Sequence, residues 1–154
     1  MGTKLATKEI LNRKAKFEFS FIQHYEAGLV LTGTEVKALR QGLANLTDAY
    51  CLFDHGNLVV KNLFIAEYDH GTIYNHDARR DRRLLLRKPE LRKLERRVNE
   101  KGYTIVPFRL YFSERGFAKL EIALAQGKKE FDKRETIKER DSKRDLDRIK
   151  KIKL

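Results

Sequence analysis

"KFEFSFIQHYEAGLVLTGTEVKALRQG", residues 16–42, changes period halfway along, and that change decides the fold class. Phe17, Phe19 and Phe21 recur at every second position, the spacing of a strand with one buried face. The run continues to Gly28 and then Leu29, Val30 and Leu31. A glycine inside a strand pattern marks a bulge or a barrel corner, so this part predicts a strand, a bend and a second short strand. At Thr32 the period lengthens. Glu35 follows three residues later, as a capping box requires, Val36 and Leu39 share a helical face, and Gly42 stands where a C-terminal cap belongs.

The flanking segments repeat this alternation. Residues 1–10 read as a short basic arm, with a helical turn expected around Lys8–Ala15. Residues 45–68 contain two runs rich in β-branched and aromatic residues joined by "DHGN", a hairpin signature. Residues 69–83 have no period and read as a binding loop. Residues 88–102 carry Pro89 in the first turn, Leu91, Leu94 and Val98 on one face, and Gly102 beyond the end, with Arg92, Lys93, Arg96 and Arg97 outward. Residues 103–125 form a second hairpin around "SERG", with Pro107 confined to a strand edge or bulge. About six strands and two or three short helices favour a closed antiparallel oligonucleotide/oligosaccharide-binding (OB) barrel over residues 11–126, with an open α+β sandwich as the second choice.

A chain of 154 residues with 41% hydrophobic content suits one core. Its net charge of +12 favours polyanions, nucleic acid first. No apolar run approaches the roughly eighteen residues of a spanning helix, so no membrane partner is expected. Charges interrupt the N-terminal stretch where a signal peptide would be apolar, and Gly2 lacks the spaced Ser or Thr of a myristoylation site, which predicts a cytoplasmic protein. Cys51, the single cysteine, is expected in the core. There is no Walker loop, dinucleotide fingerprint or "HExxH", and no two of His24, His55, His70 and His76 are four apart on a helix, so neither cofactor nor metal is expected. A small ribonuclease remains conceivable, with His70 and His76 as acid and base beside a lysine, though no spacing demands it.

Two basic segments carry more. "ARRDRRLLLRK" sets Arg79, Arg80, Arg82, Arg83, Arg87 and Lys88 around three leucines, an arrangement expected to anchor the backbone while guanidiniums fan out to phosphates. Residues 127–154 hold 12 Lys/Arg against 7 Asp/Glu, a net +5, with too few apolar residues to order alone. Opposite charges at helical spacing predict a helix once a partner supplies a surface. Within it, "GKKEFDKR" joins a glycine hinge, Lys128 and Lys129 for phosphates, and Phe131, whose ring can stack on a base.

"NRKA", "YEAG" followed by "GTEVKALR", "RDRRLLL" and "GKKEFDKR", in this order and spacing, closely resemble the small protein B (SmpB) family, and the resemblance runs from Asn12 through the tail. It implies an OB barrel of six strands with three helices. It also implies an adaptor that binds the tRNA-like domain of transfer-messenger RNA and brings the aminoacylated RNA, with elongation factor Tu, to stalled ribosomes. The tail would then occupy the decoding centre of 16S rRNA and the empty mRNA channel. By matching residue, the resemblance ties Asn12, Glu26 and Leu85 to RNA binding, and Gly127, Asp132, Lys133 and Arg134 to steps after it. Glu26 would accept hydrogen bonds from base or ribose, or orient an arginine; Leu85 would touch RNA or support the core. Ile149 matches an apolar anchor region. Ala38 stands where the family often has serine, and Arg83 where lysine is usual. A structural ribosomal protein is the remaining alternative.

Overall fold

The computed structural model describes residues 9–68, 75–100 and 103–127. In chain order its elements are β1 (Ile10–Leu11), α1 (Arg13–Glu18), β2 (Phe19–Leu29), α2 (Gly33–Arg40), β3 (Ala44–Asn45), β4 (Tyr50–Asp54), β5 (Asn57–Lys61), β6 (Phe64–Ile65), β7 (Arg82–Leu85), α3 (Lys88–Val98), β8 (Tyr103–Phe112) and β9 (Ala118–Gly127). Six strands close a ring in the order β8, β4, β5, β7, β2, β9 and back to β8, with every pair antiparallel. Closure leaves the ring no free edge, and the architecture is the expected OB-type barrel rather than an open sandwich. β1 lies along β8, and β3 pairs with β6 as a separate ribbon.

Leu58, Val60, Ile105, Leu120, Ile122 and Leu124 fill the interior, and Leu39 of α2 and Leu94 of α3 join the same core. Cys51 lies in it too, where burial pushes its thiol pKa up. A smaller cluster of Ala15, Val106 and Ala125 sits under α1 with Phe19 and Phe21. The two clusters are related by a bulge. Phe21 pairs with Ala125 and Gln23 with Leu124, so Ile22 is an extra residue that inverts the alternation of β2. Odd-numbered residues before it face α1, whereas Tyr25, Ala27 and Leu29 after it face the interior.

Several local expectations change. Phe17 belongs to α1, which follows β1, so the anticipated turn at Lys8–Ala15 is a bridge and then a helix starting at Arg13. Ile10, assigned to the arm, pairs with Leu110 and belongs to the barrel. Residues 1–8 lie outside the described residues, as do 69–74 with His70, Gly102, and the tail from Lys128 on. β2 passes straight through Gly28 and ends at Leu29, so there is no second strand. Gly28 pairs with Lys119 on β9 and Leu85 on β7, and a Cβ there would meet the Cβ of Leu85 at 3.4 Å, close packing without a clash. The hairpin turn falls at His55 and Gly56, with φ of 51° and 79°, the left-handed pair that matches strand twist. Pro107 marks the β8 bulge.

Asn12 was expected at the RNA surface, but it is only 4% exposed. Its Oδ1 accepts from the Ala15 N–H and caps α1, while Nδ2 donates to the carbonyls of Leu46 and Pro107. Every polar group of this side chain is bonded inside the protein, so it latches α1 to the barrel.

Arg82 is also buried, with 0% exposure. Its Nε donates to Glu35 Oε2, Nη1 to the Leu63 carbonyl, and Nη2 to the Ala78 carbonyl at 3.2 Å. Glu35, at 0% exposure, is the capping-box acid of α2, and its Oε1 accepts from the Thr32 N–H at 2.9 Å and Arg80 Nη2 at 2.6 Å. Burial opposes ionisation of Glu35. Hydrogen bonds from Arg80, the Thr32 N–H and Arg82 outweigh it and hold the carboxyl pKa down at about 2 from an ordinary 4.5.

Replacing one member of a buried ion pair leaves the other uncompensated, so Glu35→Gln is expected to lower unfolding free energy by about 3–5 kcal/mol in denaturant titrations. Because folding depresses this pKa, its stabilisation is complete above pH 4.5 and disappears as pH falls towards about 2. The variant should lack that part of the acid dependence. Equal acid profiles for both proteins would contradict the assignment.

Candidate nucleic-acid interface

The register of β7 sorts the basic segment. Arg82 and Leu84 point inward, Arg83 and Leu85 outward. Arg83 is exposed, and Arg87, the residue before α3, is exposed as well. Arg80 is half withdrawn towards Glu35, and Arg79 lies over the Phe64 ring at 5.5 Å. The expected fan of guanidiniums is therefore divided: Arg83 and Arg87 face solvent, Arg79 is exposed against an aromatic, Arg80 is half used internally, and Arg82 is withdrawn completely. Arg92, Lys93 and Arg96 continue the basic surface along α3. Arg97 is folded back over Tyr103 at 5.0 Å.

Leu85, which allowed two readings, is 51% exposed, so it stands on the surface and supports the core only through its backbone pairing with Gly28. It borders an open hollow with His24, Glu26, Gly28, Arg87 and Lys119. This hollow brings together three of the expected residues, Glu26, Leu85 and Arg87, from β2, β7 and the start of α3. Two cations, the two carboxylates of Glu26 and Glu90 and an exposed apolar side chain surround one opening, which can meet a phosphate and a sugar or base edge at once. The buried hydroxyl of Tyr25 lies at the same place without a partner. Burial, with Glu90 nearby, raises its pKa.

Glu26 has a neighbour that the sequence pattern did not single out. Burial, together with the nearby negative charges of Glu26 and Glu121, raises the pKa of Tyr111. Arg109 lies over the Tyr111 ring at 4.1 Å and pairs with Glu121 and Glu9. The signal was present in the second hairpin, whose alternation puts Arg109 and Tyr111 on one face of β8, but it needed the pairing of β9 with β2 to reach Glu26.

Of the histidines, His24 is exposed on β2, edge-on to Phe21 and Phe108, and His55 occupies a turn. His76 is buried; its Nε2–H donates to the Ile65 carbonyl at 2.9 Å, so Nδ1 accepts from the Thr34 hydroxyl. Both ring nitrogens are occupied in holding α2 to β6. Among the described residues there is no group of His, Cys, Asp and Glu that could hold a metal ion. Nor is any helix there long and apolar enough to cross a membrane. Gly127 ends β9 exposed; Lys128, Lys129, Phe131, Asp132, Lys133, Arg134 and Ile149 lie outside the described residues.

A closed antiparallel barrel with outward arginines at a strand–helix corner places the protein in the OB-barrel class, with a surface suited to polyanions. The family model described as "SmpB protein" matches residues 9–152. The chain belongs to that family. It is 56% identical over 140 residues to the SsrA-binding protein of Phocaeicola vulgatus, covering 91% of this chain and 93% of that one. It is 56% identical over 147 residues to the SsrA-binding protein of Flavobacterium psychrophilum, covering 96% and 98%. A solved structure described as "tmRNA-SmpB: a journey to the center of the bacterial ribosome" superposes with a TM-score of 0.67 and 47% identity, covering 79% of this chain and 85% of that chain.

The divided arginines give a direct test. Arg83→Ala and Arg87→Ala should each weaken binding of a structured RNA and reduce the slope of log affinity against log salt by about one. Arg82→Ala should instead lower the unfolding midpoint. A salt slope unchanged in both surface variants would contradict this surface.

Proposed function

We propose that this chain is a non-enzymatic RNA-binding adaptor of trans-translation. It binds the tRNA-like domain of transfer-messenger RNA and delivers that RNA to stalled ribosomes in the cytoplasm, meeting elongation factor Tu through the aminoacylated RNA. The observation that carries this reading is the 56% identity to an SsrA-binding protein over 96% of the chain, with the family model running through the barrel and into the charged segment to residue 152. The described surface supports it. Arg87 and Lys119 offer phosphate contacts around Glu26 and Leu85, which do not attract phosphate and so add selectivity for a particular RNA shape.

In this reading the chain has two working parts. The barrel, from Ile10 to Gly127, holds one RNA. The segment that follows, to Leu154, enters the decoding centre and the empty mRNA channel as a helix, with Lys128 and Lys129 on phosphates, Phe131 stacked on a base, Asp132, Lys133 and Arg134 required for accommodation, and Ile149 near an apolar anchor. No catalytic residue is assigned, and His76, a candidate acid or base, is engaged at both nitrogens.

Deleting the chain from Lys128 onward should leave affinity for the tRNA-like domain within about twofold and abolish peptide tagging of stalled ribosomes in a reconstituted translation system. Equal loss of both activities would overturn the division of labour.

A further inference from the structure

A second hollow, of about 240 Å³, shares no residue with the Glu26 site and is lined by Asn45, Asp48, Asn62, Phe64 and Arg79. Nothing above gives it a purpose. Phe64 offers an aromatic face, and the Arg79 guanidinium lies over it at 5.5 Å, so one wall is made of two planar groups of the kind on which nucleobases stack. Three short polar side chains form the rest. Asn45 Oδ1 accepts from the Thr47 N–H at 2.8 Å, which fixes the carboxamide and leaves its Nδ2 group as a donor. Asp48 is exposed beside it and offers two acceptor oxygens. Asn62 turns the chain between β5 and β6 at φ 59°, a conformation asparagine tolerates, and closes the third side.

These groups select one base. On its Watson–Crick edge guanine presents two adjacent donors, the ring N1–H and the N2 amino group, next to the O6 acceptor. A carboxylate accepts the two donors together while an amide N–H donates to O6. Adenine, cytosine and uracil do not offer that pair of donors. The edge is free only in an unpaired base, so the ligand is single-stranded. We infer that the Asn45–Asp48–Phe64–Arg79 hollow is a binding pocket for an unpaired guanine of RNA, with Asp48 reading N1–H and N2–H, Asn45 reading O6, and Phe64 with Arg79 stacking the ring. This rests on the chain being an RNA-binding protein, but not on which RNA the Glu26 hollow holds.

The test uses the full-length chain and short single-stranded RNAs that differ only at a central guanine, adenine, cytosine, uracil or inosine, titrated alongside a folded tRNA-like domain. Guanine should be preferred over the other standard bases by about tenfold, as a good bidentate contact allows. Inosine, which keeps N1–H and O6 but lacks the N2 amino group, should lose most of the preference. Asp48→Asn should abolish the preference while leaving the tRNA-like domain bound as before. Equal affinity for all five oligonucleotides, or a guanine preference that survives Asp48→Asn, would overturn the pocket even if the tRNA-like domain binds. Guanine preference without tRNA-like domain binding would uphold the pocket and overturn the adaptor reading.

Discussion

The carboxylate of Glu35, held between Arg82 and Arg80, is the contact on which the outer surface depends. It joins the first turn of α2 to β7, and Arg82 extends the junction to the carbonyls of Leu63 and Ala78. Strand side chains alternate, so burying Arg82 at this point dictates which face each neighbour takes. Arg83 and Leu85 are turned out because Arg82 and Leu84 are turned in. A slip of one residue would bury Arg83 and expose the other arginine, and the hollow beside Glu26 would lose Leu85. A buried ion pair adds little net stability against an apolar alternative, but once present it penalises every register that separates its members.

The protein therefore uses its charge in two ways. The overall +12 draws RNA from a distance and is screened by salt. The arrangement at the surface is local: Glu26 lies beside Arg87 and Lys119, and an acid among cations repels a phosphate placed against it. Capture and discrimination are thus separate properties of the same barrel face.

Much of the fold was legible in sequence because each element carries its own local signal. The capping box from Thr32 to Glu35, the "DHGN" turn and the Leu91, Leu94, Val98 face all concern residues within one element or one turn. What failed was non-local. The bulge at Ile22, which moves Phe19 and Phe21 to a cluster outside the ring, follows from pairing with β9. The burial of Asn12 and Arg82 follows from carbonyls 95 and 19 residues away. A polar residue in a basic or polar stretch reads as surface unless its distant partners are known. Glu26 and Leu85 were singled out through family likeness and Arg87 through the basic run, whereas the hollow that they share required the strand order.

The most direct test of the account is a competition titration of the full-length chain with a folded tRNA-like domain of transfer-messenger RNA, against ordinary tRNA and unrelated duplex RNA, at low and high salt. Tight binding that persists at high salt and prefers the tRNA-like domain is the predicted result, since fixed contacts remain when the general field is screened. Affinities that are equal for the three RNAs and collapse together as salt rises would contradict it, and would reduce the surface to a generic attraction for phosphate.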